Sequence, residues 1–327
     1  MKRAKRLYEQ VYQLENLQLA AWKAAKGKRH SREVVDFMAD ITNNLYKIQQ
    51  EFITNELKIG NYTYFKIYEP KERLICAPSF HDQVVQHALM NICHDTFENF
   101  QFFHSYASRK GKGVHRAVLV AQEYTQKNTY YLKLDVKKFF DSIPHCVIKK
   151  QLQARFKEYE ILNAFSQIID SYAKEKGQGV PIGNLTSQYF ANHFLAHLDK
   201  YIKNELKCKY YVRYMDDMIL WDTDQTMLKM FSEKINLYVK DVLLCSLKPA
   251  QLNFCSKGVP FLGFRIFYKT IRLLHKSKIR FIRKMKIAKS DFLCHKLSEK
   301  EYKQKITTLL AFITHANSFL FRKTLHL

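Results

Sequence analysis

The sequence is poor in residues that break or loosen a chain, with nine glycines and six prolines among 327 residues. That scarcity excludes a flexible linker protein or a low-complexity disordered chain and favours long regular elements. It also lacks paired cysteines. Seven are scattered (Cys76, Cys93, Cys146, Cys208, Cys245, Cys255 and Cys294), no CxxC pair occurs and the number is odd. A disulfide framework and a zinc site are therefore not expected, and the thiols read as reduced, in a cytoplasm. No stretch approaches the ~20 apolar residues of a membrane span. The basic start, MKRAKRLYEQ, is not followed by an apolar signal segment. Acidic residues are few, 30 Asp+Glu against 54 Lys+Arg, for a formal charge of +24. A charge this large on an enzyme-sized chain implies a polyanionic partner. A solvated basic surface or an anionic membrane is the plainer alternative, but charge combined with 14% aromatic residues favours nucleic acid.

The 47% of apolar residues suffices for two or three packed units with substantial cores. Residues 1–60 read as basic and helical. Val35, Phe37, Ile41, Leu45 and Ile48 recur at helical spacing, and Ser31 with Glu33 marks a helix start. GNYTYFKIYEP reads as a strand entering a tight hairpin at EPKER. Helices are expected over 82–100, 113–127, 145–157, 160–175, 185–206 and 224–243. Strands are expected over 130–135, 209–214 and 218–221, with 259–268 as strand or hairpin and a basic helical tail over 276–327.

The sharpest question is posed by YYVRYMDDMILW, residues 210–221. Asp216 and Asp217 interrupt a run of apolar and aromatic residues, and two carboxylates in such a setting cost stability unless something binds them. The pattern predicts a strand, a two-residue turn at Asp216–Asp217 and a second strand. YYLKLDVKKFFDSI, residues 130–143, supplies a second strand-end aspartate, Asp135. Two strands ending in aspartates can lie side by side in one sheet, and their hard oxygen donors suit magnesium. Two such ions can activate a 3′-hydroxyl and stabilise a leaving pyrophosphate. A bare DD pair would read as an exposed acidic turn; the apolar flanks and the matching partner argue otherwise.

These residues carry a family resemblance. YMDD between apolar strands resembles the active-site hairpin of reverse transcriptases, and LDVKKFF resembles their first catalytic motif. YEPKERLICAPSFHDQVVQHAL (68–89), YASRKGKGVHRAV (106–118), GVPIGNLTSQYFANHFLAHLD (179–199), SLKPAQLNF and PFLGFRI follow in the matching order. The likeness covers roughly residues 62–268. It implies an α+β right-hand polymerase with fingers, a palm built on an antiparallel sheet, and a helical thumb. The implied boundaries are an N-terminal helical extension over 1–60, fingers over 61–112 and 142–180, palm over 113–141 and 181–268, and thumb over 269–327. One departure selects a subfamily. IGNLTSQ (182–188) carries isoleucine where most bacterial relatives have glutamine, and Gln188 where they have proline. That pattern is similar to reverse transcriptases of diversity-generating retroelements, in which cDNA synthesis is error-prone at template adenines.

The resemblance implies roles for single residues. Asp135, Asp216 and Asp217 are the catalytic carboxylates; with the carbonyl of Val136 they hold two Mg2+, with Mn2+ as an alternative. Phe140 would press under the sugar and reject a 2′-hydroxyl, or else belong to the core. Lys71 and Arg73 would clamp the triphosphate, unless they are a solvated basic turn. Ile182 and Gly183 would line the nascent base pair, and Lys248 would stand near the leaving pyrophosphate. Arg109, Lys110 and Lys112, in a glycine-bearing basic loop ahead of a helix, would hold template phosphates. Gln188, Tyr214, Met215 and Gly263 complete the nucleic-acid set, Gly263 by close approach to the primer strand and Gln188 by touching the template or else as a buried or capping amide. The implied partners are template RNA, the RNA/cDNA duplex, dNTPs and a small basic accessory protein oligomer, with no membrane, in a bacterial or phage-encoded cytoplasmic system. No endonuclease, RNase H or integrase segment is recognisable. Two other readings stay open: a stand-alone bacterial antiphage-defence reverse transcriptase using a non-coding RNA, and a non-catalytic RNA-binding protein. Neighbouring genes separate the first from the retroelement reading, and primer extension separates the second.

Overall fold

The computed structural model describes residues 3–68 and 72–325. In chain order the elements begin with four helices, α1 (Tyr8–Val11), α2 (Leu14–Ala25), α3 (Arg32–Ala39) and α4 (Ile41–Ile53). A hairpin of β1 (Tyr62–Ile67) and β2 (Arg73–Pro78) follows, then α5 (Phe80–Glu98), α6 (Val114–Lys127) and β3 (Tyr130–Asp135). Next come α7 (Phe139–Ser142), α8 (His145–Gln153), α9 (Tyr159–Asp170) and α10 (Leu185–Lys200). The hairpin β4 (Tyr210–Tyr214) and β5 (Asp217–Asp222) leads into α11 (Gln225–Asp241) and β6 (Gln251–Phe254). The short strands β7 (Val259–Phe261), β8 (Phe264–Ile266) and β9 (Ile271–Leu273) precede α12 (His275–Leu293), α13 (Glu299–Thr314) and α14 (Phe319–Lys323). Among the described residues no helix is long and apolar enough to cross a membrane.

Two compact units emerge. The first holds the chain up to Phe103, Val136–Glu205 and Ile235–Lys248. Its centre is α5, whose Val84, Val85, Ala88, Leu89 and Cys93 have no exposure at all. The alanines of α2 (Ala20, Ala21, Ala24) are buried, and small side chains let two helix backbones come close. Helix α10 is likewise buried on most sides, as a helix apolar over much of its circumference must be. Phe97, Phe156, Phe165 and Phe190 form an aromatic knot with ring centroids 5.2–6.3 Å apart. The apolar run beginning near Ser31 divides into α3 and α4 because Asp40 leaves the helical region at φ −126°, ψ 47°. In α3 it is Val34 that is buried while Val35 is 52% exposed, and Ser31 stands at the N-cap without a side-chain hydrogen bond. β1 and β2 pair antiparallel from Tyr62↔Pro78 to Ile67↔Arg73. The hairpin tip, including Lys71, lies outside the described residues.

The second unit holds His104–Asp135, Leu206–Lys234 and the chain from Pro249 on. Its four-stranded antiparallel sheet has the order β4-β5-β3-β6. The central strands read as near-continuous apolar runs because both faces are covered. Trp221, at 0% exposure, donates its indole N–H to Thr125 of α6 at 3.2 Å, and Tyr124 of α6 packs edge-on to it. A three-stranded sheet, β7-β8-β9, shares one core with α12 and α13 through Phe261, Phe264, Phe281 and Ile313. On α12 the buried residues Ser277, Phe281 and Ala288 lie on one helical face, and most of its lysines and arginines lie outside it.

Candidate active site

β3 and β5 are antiparallel neighbours, and their register sets Asp135 opposite Asp217. Directly opposed residues share one face of a sheet, so the two carboxylates are brought to the same side by pairing alone. The β4–β5 hairpin closes on Tyr214↔Asp217. Its tip is therefore Met215–Asp216, one residue earlier than the Asp216–Asp217 turn expected from the sequence, and Asp217 already belongs to β5. Met215 takes the left-handed conformation, φ 52°, which a two-residue hairpin demands of its tip. Asp135, Tyr214, Met215, Asp216 and Asp217 are all half-buried, while the strand residues behind them are buried.

Two basic residues that the sequence reading passed over complete this end of the sheet. Lys133 lies two residues before Asp135, on the same face. Its Nζ donates to Asp217 Oδ2 and to the carbonyl of Pro260, both at 3.0 Å. The alternation of β3 was the available signal. Arg213 is fully buried, an unusual setting for an arginine, and its Nη1 donates to the carbonyl of Met215 at 3.2 Å. The segment entering from His104 runs beside β4: Arg213 N donates to His104 O, and Tyr106 N to Arg213 O, both at 3.0 Å. The tip bearing Asp216 is thus held by the Arg213 side chain, and the strand leading into it by backbone bonds to residues 104–106.

The same segment leads into the basic loop. Arg109 Nη1 donates to Ser105 O at 2.8 Å, and Lys112 Nζ lies 5.2 Å from the centre of the Tyr106 ring. Ser108, Gly111 and Gly113 take positive φ as the chain turns into α6, where Gly113 is the N-cap. Lys110 is exposed. Arg116, in the first turn of α6, donates to Gly111 O at 2.8 Å and steadies the loop.

Among the described residues, no group of three or more His, Cys, Asp or Glu side chains is gathered into a metal cage. What the register provides is a set of carboxylate oxygens at adjacent strand ends. Their all-oxygen chemistry fits a hard divalent cation, which keeps part of its water shell.

The remaining candidates sit in the first unit. Phe140, in α7, is half-buried, and its carbonyl accepts from Val180 N at 2.9 Å. Ile182 O accepts from Cys76 N of β2 at 2.8 Å. Gly183 has φ 132°, and a Cβ there would stand 2.6 Å from Cys76 O. The unit therefore gathers Phe140, the 180–183 turn and β2 by backbone bonds. Arg73, at the start of β2, is exposed and lies three residues from Cys76, roughly 10 Å along the strand. Gln188 is exposed near the start of α10. Val136 is buried and bridges Leu247, next to half-buried Lys248. In the second unit Gly263 takes φ 90° between β7 and β8. A Cβ there would meet Ser277 Oγ at 3.0 Å and Phe312 Cζ at 3.1 Å, so the close approach its geometry permits is to α12 and α13.

Residues 66–266 match the family described as "Reverse transcriptase (RNA-dependent DNA polymerase)", and the chain belongs to that family. Among curated proteins it is 24% identical over 174 residues to the putative COX1/OXI3 intron 2 protein of Saccharomyces cerevisiae. That match covers 50% of this chain but only 20% of the yeast protein. It is 25% identical over 225 residues to the retron Ec73 reverse transcriptase of Escherichia coli, covering 64% of this chain and 70% of that one. Apo telomerase from Candida tropicalis superposes with a TM-score of 0.51 at 15% identity, over 70% of this chain and 53% of that chain. This likeness speaks to fold: the chain has the α+β right-hand polymerase fold.

Proposed function

We propose that the protein is an RNA-directed DNA polymerase that makes error-prone cDNA from a specific structured RNA in a diversity-generating retroelement. The observation that carries the polymerase reading is the pairing of Asp135 with Asp217 beside the Asp216 tip, in a chain of the reverse transcriptase family. The finer reading rests on IGNLTSQ at 182–188.

In this reading Asp135, Asp216 and Asp217, with the Val136 carbonyl, hold two divalent cations, Mg2+ or Mn2+. Bound there, the cations supply activation of the primer 3′-hydroxyl and charge neutralisation at the leaving pyrophosphate. The chain's own residues orient the substrates. Lys71 and Arg73 hold the triphosphate, Lys248 attends the pyrophosphate, and Phe140 excludes the 2′-hydroxyl so that dNTPs are chosen. Ile182 and Gly183 bound the nascent pair. Arg109, Lys110, Lys112, Gln188, Tyr214 and Met215 follow template and primer. Fingers, palm and thumb take the boundaries given above, and a small basic accessory oligomer helps load the RNA in a bacterial or phage-encoded cytoplasmic setting.

The second reading is a stand-alone bacterial antiphage-defence enzyme that uses a non-coding RNA; the similar retron Ec73 protein is itself a reverse transcriptase. The activity test is primer extension on an RNA template by wild type and Asp216→Asn. The wild type is expected to add dNTPs in Mg2+, and the folded variant to lose at least a thousandfold, since a lost charge-stabilising group costs on the order of 10²–10³ and a metal ligand more. Normal extension by the variant overturns the assignment. A template repeat and a variable target gene beside the coding sequence would decide for the retroelement.

A further inference from the structure

Lys133 has no part in the reading above, yet it makes a direct side-chain contact with one of its carboxylates. Three observations concern it. Its ammonium contacts Asp217 Oδ2 and Pro260 O, each at 3.0 Å. The ion pair is mostly withdrawn from water, with the two side chains 18% and 22% exposed. The register places Asp135 directly opposite Asp217, and like charges so opposed destabilise a sheet.

From these contacts we infer that Lys133 is a positioning residue with two duties, an inference that rests on the carboxylates being the metal-binding set. First, it is a built-in counter-cation. It lets β3 and β5 pair with their aspartates facing one another before any divalent ion arrives. Second, it restrains the orientation of the Asp217 carboxylate through its bond to Oδ2. A lysine bonded to Oδ2 and tethered by the Pro260 carbonyl stops the carboxylate from swinging. The tether ties the catalytic strand end to β7, in the hairpin that carries Gly263. The same geometry sets a cost, because a divalent cation that binds this carboxylate set does so next to a fixed positive charge. Lys133 therefore tunes divalent affinity downward while holding Asp217 in one orientation.

The test uses the full chain and three variants. Lys133→Met keeps the side-chain length and removes the charge; Lys133→Arg keeps the charge. Asp135→Asn probes the carboxylate reading itself. The readouts are Mn2+ affinity by the paramagnetic signal of the free ion, and the melting temperature with and without Mn2+. Lys133→Met should lower the metal-free melting temperature, enlarge the Mn2+-induced rise, and tighten Mn2+ binding by roughly three- to tenfold, the scale of one partly exposed charge pair. Its kcat for nucleotide addition should fall while its half-saturating Mg2+ concentration also falls, a combination that a merely packing role does not produce. Lys133→Arg should restore the wild-type Mn2+ affinity. Unchanged Mn2+ affinity and an unchanged Mn2+-induced rise in Lys133→Met overturn the inference. If Asp135→Asn keeps the full Mn2+ response, it is the carboxylate reading that fails.

Discussion

On the proposed retroelement reading, Ile182 is the residue that would set fidelity. Its carbonyl is committed to Cys76 N, so the turn that presents it is held by β2 while its side chain is only half-buried. An aliphatic side chain offers no hydrogen bond to an incoming nucleotide. The resemblance implies an amide at this place in most bacterial relatives, and losing one or two such contacts would cost about 1 kcal/mol each for correct and incorrect nucleotides alike. Discrimination would then lean on base-pair geometry. Ile182→Gln is expected to lower misincorporation opposite template adenine and raise catalytic efficiency, as read by sequencing cDNA made on one template. Equal error rates would remove Ile182 as a fidelity determinant. Gly183 beside it has no such freedom. With φ 132° and Cys76 O only 2.6 Å from the place of a Cβ, Gly183→Ala should destabilise the first unit by about 1–3 kcal/mol in urea titration, with β2 displaced.

At the scale of elements, helix ends and hairpin tips decide what is rigid. α13 starts with a complete capping box: Ser298 accepts from Glu301 N at 3.3 Å, while the Glu301 carboxylate accepts from Ser298 N at 2.8 Å. Ser298→Ala should therefore cost about 1 kcal/mol. Because α13 shares the core of β7–β9 and α12, that loss is expected to register in the urea midpoint of the second unit. The β4–β5 tip is held otherwise, by Arg213 beneath Met215. A buried guanidinium is specific in direction where an apolar residue is not, which is why the aspartate hairpin stands on a polar brace inside an apolar strand pair.

For the whole molecule, pH should act through buried histidines of the first unit. Burial, aided by neighbouring His197, pushes His193 down to about 3; burial with Lys200 and Arg155 nearby pushes His197 down to about 4. In the unfolded chain both bind a proton near the ordinary value of about 6.5, and in the fold they do not. Stability should thus fall as pH drops from about 6.5 toward 4, by on the order of 5 kcal/mol in total. His81 works the other way. Burial opposes its charge, but the Asp82 and Glu51 carboxylates outweigh burial and raise it to about 9. Its contribution is complete below about 6.5 and is lost as pH rises through about 9. Urea midpoints across pH 4–10 should therefore peak near neutrality. A profile flat down to pH 4 would mean that His193 and His197 can be protonated in place.

Element types were legible in the sequence wherever one periodicity ran unbroken. The strands expected over 130–135 and 209–214, the helix over 113–127 and the basic helical tail from 276 followed from local composition and spacing alone, and the observed elements start within one residue of them. The three aspartates were legible too, because carboxylates in apolar strands stand out against their surroundings. Tertiary structure alone decided the rest. The hairpin tip moved by one residue because pairing with β4 drew Asp217 into β5. The run after Ser31 split because Asp40 leaves helical backbone, which no spacing of apolar residues records. The partners of Lys133 and Arg213 come from positions far along the chain or from a backbone carbonyl, and side-chain patterns carry no trace of carbonyls. Local periodicity is written into neighbouring residues, whereas register, bracing and counter-charges arise only when distant strands meet.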